Sequence, residues 1–336
     1  MSASQPAPVA VAGTTTWGAT LAIIMARQNV PVRLLARTPG DAVALETARE
    51  HPRMAGHAFP ASLSVTHRWD EGLAGVAAVL FAVPSHTLRE NARRAAPHLA
   101  PEAIAVSAAK GLEQGTFKRM STLLTEELPQ AAGRVCALSG PNLAREVVKG
   151  LPTSTVVASD NPQAAGAAQA LLNSMAFRVY TNADLLGTEL AGALKNVIAI
   201  GAGICDGMGL GDNARAAFIT RGLAEITRLG VAAGAQPVTF MGNAGMGDLL
   251  ATCYSGLSRN HRVGLALAAG KGLEDALAEL GGEVAEGVKT TVAALEMGAH
   301  FGVEMPIAEL TARVLFQGMT PRDALAELMA RTPRPE

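Results

Sequence analysis

The sequence predicts an α/β protein in two parts: an N-terminal domain built on a mostly parallel sheet, then a C-terminal all-α domain. Three observations predict it. Up to about Asn182, short apolar runs alternate with helix-length segments, the pattern of repeated strand–helix units with helices on both sheet faces. From Leu185 onward the pattern becomes helices joined by glycine-rich loops, with few strand candidates. A chain of 336 residues, 49% of them hydrophobic, is long enough for two cores. The expected boundary falls near Thr181–Leu186, giving domains 1–184 and 185–336.

Val9-Ala10-Val11-Ala12 is the first strand candidate, ending at Gly13, and a helix follows from about Trp17 to Gln28. Further strands are expected at Val32–Ala36, Val76–Val83, Ile104–Ser107, Val135–Leu138, Thr155–Ala158 and Phe177–Tyr180. Ligands of such sheets gather at the carboxyl ends of the strands. Gly13, Val83-Pro84-Ser85, Ser107–Lys110 and Ser139–Asn142 all fall there. In the second half, Leu190, Leu194, Val197 and Ile198 recur at helical spacing, so Lys195-Asn196 lies in a buried helix. Lysine is rarely buried without a partner; one here is either paired for structure or placed for chemistry. Ala214–Leu229 and Val263–Ala269 are also helical in period.

Bulk properties exclude several classes. A formal net charge of -1 gives no general attraction to nucleic acid or an anionic membrane. Cys136, Cys205 and Cys253 form no CxxC pair, which fits a reducing compartment and three small buried thiols. Met1–Pro8 has no basic residue, unlike a signal peptide. No uninterrupted apolar run approaches the ~20 residues of a membrane span. A soluble, cytoplasmic protein is expected. The histidines form no HxxxH or HExxH arrangement, so no metal is expected. The tail from Arg331 to Glu336 is expected to fray.

Five motifs carry chemistry. Gly13-Thr14-Thr15-Thr16-Trp17-Gly18 sits where a Rossmann-like fold wants G-x-G-x-x-G, for the turn, the pyrophosphate approach and the helix–strand packing. Thr15 replaces the middle glycine, and its Cβ should crowd the pyrophosphate. The helix N-terminus still offers amides, and the threonine hydroxyls are further donors. Alone, the loop also fits an ordinary strand–helix turn. Arg37, after the second strand, stands where an NAD site places an acid; an arginine there suits the 2′-phosphate of NADP or is simply a solvated surface charge. Lys110-Gly111 can bring a mobile positive charge to a strand end or be a plain loop lysine. Gly242-Asn243-Ala244-Gly245-Met246-Gly247-Asp248 either aims Asp248 through a tight loop or makes it a helix N-cap. In Ser258-Arg259-Asn260 the serine caps a helix whose amides, with Arg259, would cradle a phosphate; the alternative is a solvated basic turn.

With these residues in place, the chain resembles the bacterial NAD(P)-dependent glycerol-3-phosphate dehydrogenase family from about Val9 to Ile307. The specific stretches are Leu194-Lys195-Asn196-Val197, Asn213–Ala217 through Thr220–Glu225, Gly245–Leu249, Ser258–Asn260 and Val284–Val288. The resemblance implies a Rossmann domain, a helical domain and a homodimer, interconverting dihydroxyacetone phosphate and sn-glycerol 3-phosphate for phospholipid synthesis. It implies Lys195 as proton donor and acceptor. Substrate would be contacted by Lys110, Gly140, Asn142, Lys195, Asp248, Ser258, Arg259 and Asn260. The cofactor, NADP(H) ahead of NAD(H), would meet Gly13, Thr16, Trp17, Gly18, Arg37, Lys110, Ala144, Arg259, Val284 and Glu286. The sequence departs from the family pattern at Thr15, at Asn142 (usually Ser or Thr) and at Met54 (often aromatic).

In the reductive direction Lys195 would protonate the carbonyl oxygen as it becomes an alkoxide. In the oxidative direction it must be neutral, a form that burial favours and Asp248 opposes. Two other readings remain at this point: a two-domain β-hydroxyacid or ketopantoate-type reductase, and a catalytically inactive dinucleotide-binding protein motivated by Thr15.

Overall fold

A computed structural model describes residues 7–332. Residues 1–6 and 333–336 lie outside the described residues, and with them most of the segments carrying the signal-peptide and fraying expectations. The chain forms two compact units. One comprises the residues up to Lys110 together with Lys118–Thr188; the other comprises Gly111–Phe117 and the residues from Glu189 on.

The first unit holds one eight-stranded sheet: β1 (Val9–Ala12), β2 (Val32–Leu35), β3 (Leu63–Thr66), β4 (Ala78–Phe81), β5 (Ile104–Ser107), β6 (Val135–Ser139), β7 (Thr153–Ala158) and β8 (Phe177–Asn182), ordered β3-β2-β1-β4-β5-β6-β7-β8. All neighbours are parallel except β6 and β7, which are antiparallel. The run 3-2-1-4-5-6 is the dinucleotide-fold order, with its switch point between β1 and β4. Successive residues of β1 serve opposite cores: Val9 and Val11 pack with Leu34, Leu80 and Val106, whereas Ala10 and Ala12 pack with Val79, Phe81 and Leu88. That two-sided burial is why the strands read as continuous apolar runs.

β3 has no counterpart among the expected strands. It is an edge strand, Leu63-Ser64-Val65-Thr66, with only Leu63 buried, and its polar alternation hides it among loop residues.

Among the described residues after Asn182, all regular elements are helical. The Lys195 helix, Leu185–Gly207, is long and apolar enough to cross a membrane, but 94% of its apolar window is buried inside the protein. It is a core helix, in close backbone contact with the Arg259 helix (Arg259–Ala268). A Cβ on Gly203 would stand 2.1 Å from the His261 carbonyl oxygen, and one on Gly264 would stand 2.0 Å from that of Ile200. Ile200, Val263, Leu267, Val314 and Leu315 belong to one core of this unit. Cys136, Cys205 and Cys253 are free and buried. Burial pushes their thiols up to about 11, 11 and 12 respectively.

Candidate active site

The first helix, Thr16–Ala26, begins directly after the glycine loop. Gly13 takes φ +108°, and a Cβ there would meet the Ala82 carbonyl oxygen at 2.9 Å. A Cβ on Gly18 would lie 2.0 Å from the Gly13 carbonyl oxygen. The outer glycines are therefore required by the fold itself. Thr15 instead has φ -67° and ψ 162°, which any residue adopts. Its hydroxyl accepts from the Gly18 amide at 3.0 Å and donates to the Ala82 carbonyl at 2.7 Å. The expectation that this hydroxyl serves a phosphate is corrected: it caps the helix and ties the loop to the end of β4. The amides of Thr15, Thr16 and Trp17 have no acceptor among the described residues. Three such donors at the positive end of a helix fit the pyrophosphate of a dinucleotide. The Thr20 hydroxyl reaches the Ala144 carbonyl at 3.3 Å, bringing Ala144 to this helix.

At the neighbouring strand ends, Lys110 Nζ donates to the Gly140 carbonyl at 2.9 Å. Gly140 has φ +152°, and a Cβ would meet Thr155 Cα at 2.9 Å. Asn142 Nδ2 donates to the Thr155 hydroxyl at 3.0 Å. Asn142 Oδ1 and Ser139 Oγ are buried without a hydrogen-bond partner, so acceptor and hydroxyl capacity is left over beside Lys110. Arg37 is exposed just past β2 and makes no hydrogen bond or ion pair among the described residues. The next acid, Asp41, lies in the first turn of the following helix, its amide capped by Thr38.

In the helical unit Lys195 is 5% exposed and Asp248 2%. Lys195 Nζ donates to Asp248 Oδ1 and to Thr252 Oγ1, each at 2.5 Å. Thr252 in turn donates to the Asp248 carbonyl at 2.6 Å. Asp248 and Thr252 are four apart on one helix, Asp248–Tyr254, so both face the lysine. The N-cap reading of Asp248 is corrected: the cap position is Gly247, reached through a π-helical turn at Asn243–Gly247. The turn runs straight into the helix, and the carboxylate points across to Lys195 rather than back to its own amides. Thr252 was not among the expected site residues, although its i+4 spacing from Asp248 was readable.

Ser258 caps the Arg259 helix, accepting from the His261 amide at 3.2 Å. Arg259, the first residue of that helix, is exposed and makes no hydrogen bond or ion pair among the described residues. Asn260 is buried and braces its neighbours: Nδ2 donates to Asn196 Oδ1 at 2.9 Å, and Oδ1 accepts from the Gly287 amide at 2.9 Å. Gly287 is needed there, because a Cβ would meet the Asn196 carbonyl oxygen at 2.5 Å. Glu286 opens the helix Glu286–Phe301, with Val284 two residues before it. Hydrogen bonds thus join Lys195 to Asp248, Lys110 to Gly140, and Asn260 to the residue beside Lys195. Arg37 and Arg259 are exposed cations that take no part in these hydrogen bonds. Among the described residues no group of three or more His, Cys, Asp or Glu side chains could hold a metal ion.

Strand order, a helix-capped glycine loop and a buried lysine gripped by a carboxylate define the class: two-domain dehydrogenases that pair a Rossmann-like sheet with a helical domain. Within that class the chain belongs to the NAD-dependent glycerol-3-phosphate dehydrogenase family, whose N-terminal description matches residues 8–165 and whose C-terminal description matches residues 184–326. A glycerol-3-phosphate dehydrogenase (NAD(P)+) from Dehalococcoides mccartyi is 48% identical over 324 residues, covering 96% of this chain and 90% of the relative. The enzyme of that name from Streptomyces griseus is 43% identical over 99% of both chains. The crystal structure of glycerol-3-phosphate dehydrogenase from Coxiella burnetii superposes with a TM-score of 0.91 at 35% identity, covering 97% of this chain and 99% of that one.

Proposed function

We propose that this chain reduces dihydroxyacetone phosphate to sn-glycerol 3-phosphate, reversibly, and so supplies glycerophospholipid synthesis in the cytoplasm. The observation that carries the reading is the Lys195–Asp248–Thr252 cluster, a buried lysine with two oxygen partners, in a member of this family. The nicotinamide dinucleotide, when bound, supplies or accepts the hydride. The chain's own residues do the rest. Asp248 and Thr252 hold the Lys195 ammonium with its protons directed, so it can protonate an alkoxide as it forms. Arg259 and the amides opening its helix take the phosphate, a charge-assisted pairing at a positive helix end. Asn260 serves them through the Asn196 and Gly287 braces. Lys110, steadied by the Gly140 carbonyl, adds positive charge, and Asn142 offers its unused oxygen to a substrate hydroxyl.

NADP(H) is preferred over NAD(H) in this reading, because Arg37 rather than an acid follows β2. Val284 and Glu286 complete the cofactor contacts. The working form is a homodimer; Val238, Met241, Leu250, Tyr254 and Leu257 are exposed apolar side chains of the helical unit suited to cover one another between copies. A single-chain mass in light scattering would contradict that.

The test is oxidation of NADPH and NADH at saturating dihydroxyacetone phosphate, with ketopantoate as control substrate. Turnover that requires the phosphate ester and favours NADPH is expected. Lys195→Ala should lower it roughly 10²- to 10⁴-fold with little change in NADPH binding. Turnover with ketopantoate alone, or near-normal turnover in the variant, would defeat the assignment.

A further inference from the structure

We infer that His51 is a positioning residue of the dinucleotide loop: its imidazole, fixed in one neutral tautomer, orients the Thr14–Thr15 peptide so that the Thr15 amide joins those of Thr16 and Trp17 in facing an anion. The inference rests on the dinucleotide reading given above.

His51 is only 6% exposed, so its ring nitrogens depend on protein partners. The Arg53 backbone amide donates to Nδ1 at 3.1 Å. An N–H cannot donate to a protonated nitrogen, so Nδ1 carries the lone pair and Nε2 carries the hydrogen. Nε2 lies 3.1 Å from the Thr14 carbonyl oxygen, which can only accept. The two contacts agree on a single tautomer, with Nε2–H donating to Thr14.

The consequence runs through the peptide plane. The carbonyl of Thr14 and the amide of Thr15 belong to one trans peptide and point in opposite directions. A carbonyl turned toward His51 therefore turns the Thr15 N–H away from it, and that amide has no acceptor among the described residues. The residues on either side are anchored elsewhere: the Gly13 amide donates to the Leu35 carbonyl at 3.0 Å, and the Thr15 hydroxyl donates to the Ala82 carbonyl. Neither fixes the rotation of the peptide between them. His51 supplies that restraint from a distant turn. The turn is itself secured, with the Met54 amide donating to the His51 carbonyl at 2.8 Å and the Thr20 hydroxyl contacting the Met54 sulfur at 3.3 Å.

Two substitutions separate the two imidazole bonds. His51→Asn keeps an acceptor near the Nδ1 position for Arg53 but is too short to reach Thr14. His51→Gln carries an amide nitrogen near the Nε2 position but gives up the Nδ1 acceptor. In the full-length protein, NADPH dissociation constants read by nucleotide fluorescence should rise about fivefold in His51→Asn, the worth of one net hydrogen bond. The KM for dihydroxyacetone phosphate and kcat at saturating NADPH should change by less than about twofold, and His51→Gln should bind NADPH like the wild type. Melting temperatures of both variants are measured alongside. Wild-type affinity in His51→Asn, or equal loss in both variants tracking their melting temperatures, would overturn the positioning role. Failure of the wild type to bind NADPH would remove the dinucleotide reading and this inference with it.

Discussion

Thr15 shows how a glycine fingerprint can lose its middle member without losing the turn. Gly13 is needed for its positive φ and Gly18 for its closeness to the Gly13 carbonyl, whereas position 15 is in extended backbone open to any side chain. What threonine adds is a cap. Thr15→Val, which keeps the shape and removes the hydroxyl, leaves the Gly18 amide and the Ala82 carbonyl without that partner. It should lower stability by about 1–2 kcal/mol, measured by urea unfolding; an unchanged midpoint would mean the cap contributes nothing. The glycine spacing was legible in the sequence, but the direction of the hydroxyl was not, because Ala82 lies 67 residues away. Lys195 was legible for the opposite reason: a lysine amid helical apolar spacing announces its own burial. Its partner Asp248 was visible only as a candidate, and Thr252 was passed over because a threonine inside a short helix looks like filler.

Among the elements, the helix Pro306–Phe316 has no side-chain cap of its own. Its opening amides are served instead by Glu225, from the helix Gly211–Ala232: the amides of Ile307 and Ala308 donate to the two carboxylate oxygens at 2.9 Å each. Burial pushes the Glu225 carboxyl up to about 7, against the two amides and the charges of Arg228 and Arg331, which favour ionisation. With the folded value above the unfolded one, the folded state holds its proton more tightly. The resulting stability is fully present below about pH 4.5 and is lost as pH rises through about 7, on the order of 3 kcal/mol in all. Urea unfolding at stepped pH should show this decline superimposed on the other titrations, and Glu225→Gln should flatten it; a variant with the wild-type slope would rule Glu225 out. Such a cap joins residues more than eighty positions apart, so no local pattern announces it. The central strands are the contrary case: β1, β4, β5 and β6, buried on both faces, write themselves as apolar runs, and of the two half-exposed edge strands β8 still showed while β3 escaped.

At the scale of the molecule, the sheet unit runs to Lys110 and from Lys118 to Thr188, and the helical unit takes Gly111–Phe117 together with the residues from Glu189 on; the change of hydrophobic period near residue 182 gives no sign of that separate segment. Family membership follows from the order of several short motifs, none of which is decisive alone. The three thiols described with the fold fall on both sides of this division: Cys136 in the sheet unit, Cys205 and Cys253 in the helical unit. Alkylating reagents attack the thiolate. With buried thiols held at about 11 to 12, the native protein should be nearly inert to iodoacetamide at pH 7. Reaction then requires an opening motion, and its rate counts how often that motion occurs. Peptide mass spectrometry of a labelling time course would give one opening frequency for Cys136 and another for Cys205 and Cys253. The unmodified chain thus carries two internal stopwatches, one timing the breathing of the sheet and the other that of the helices.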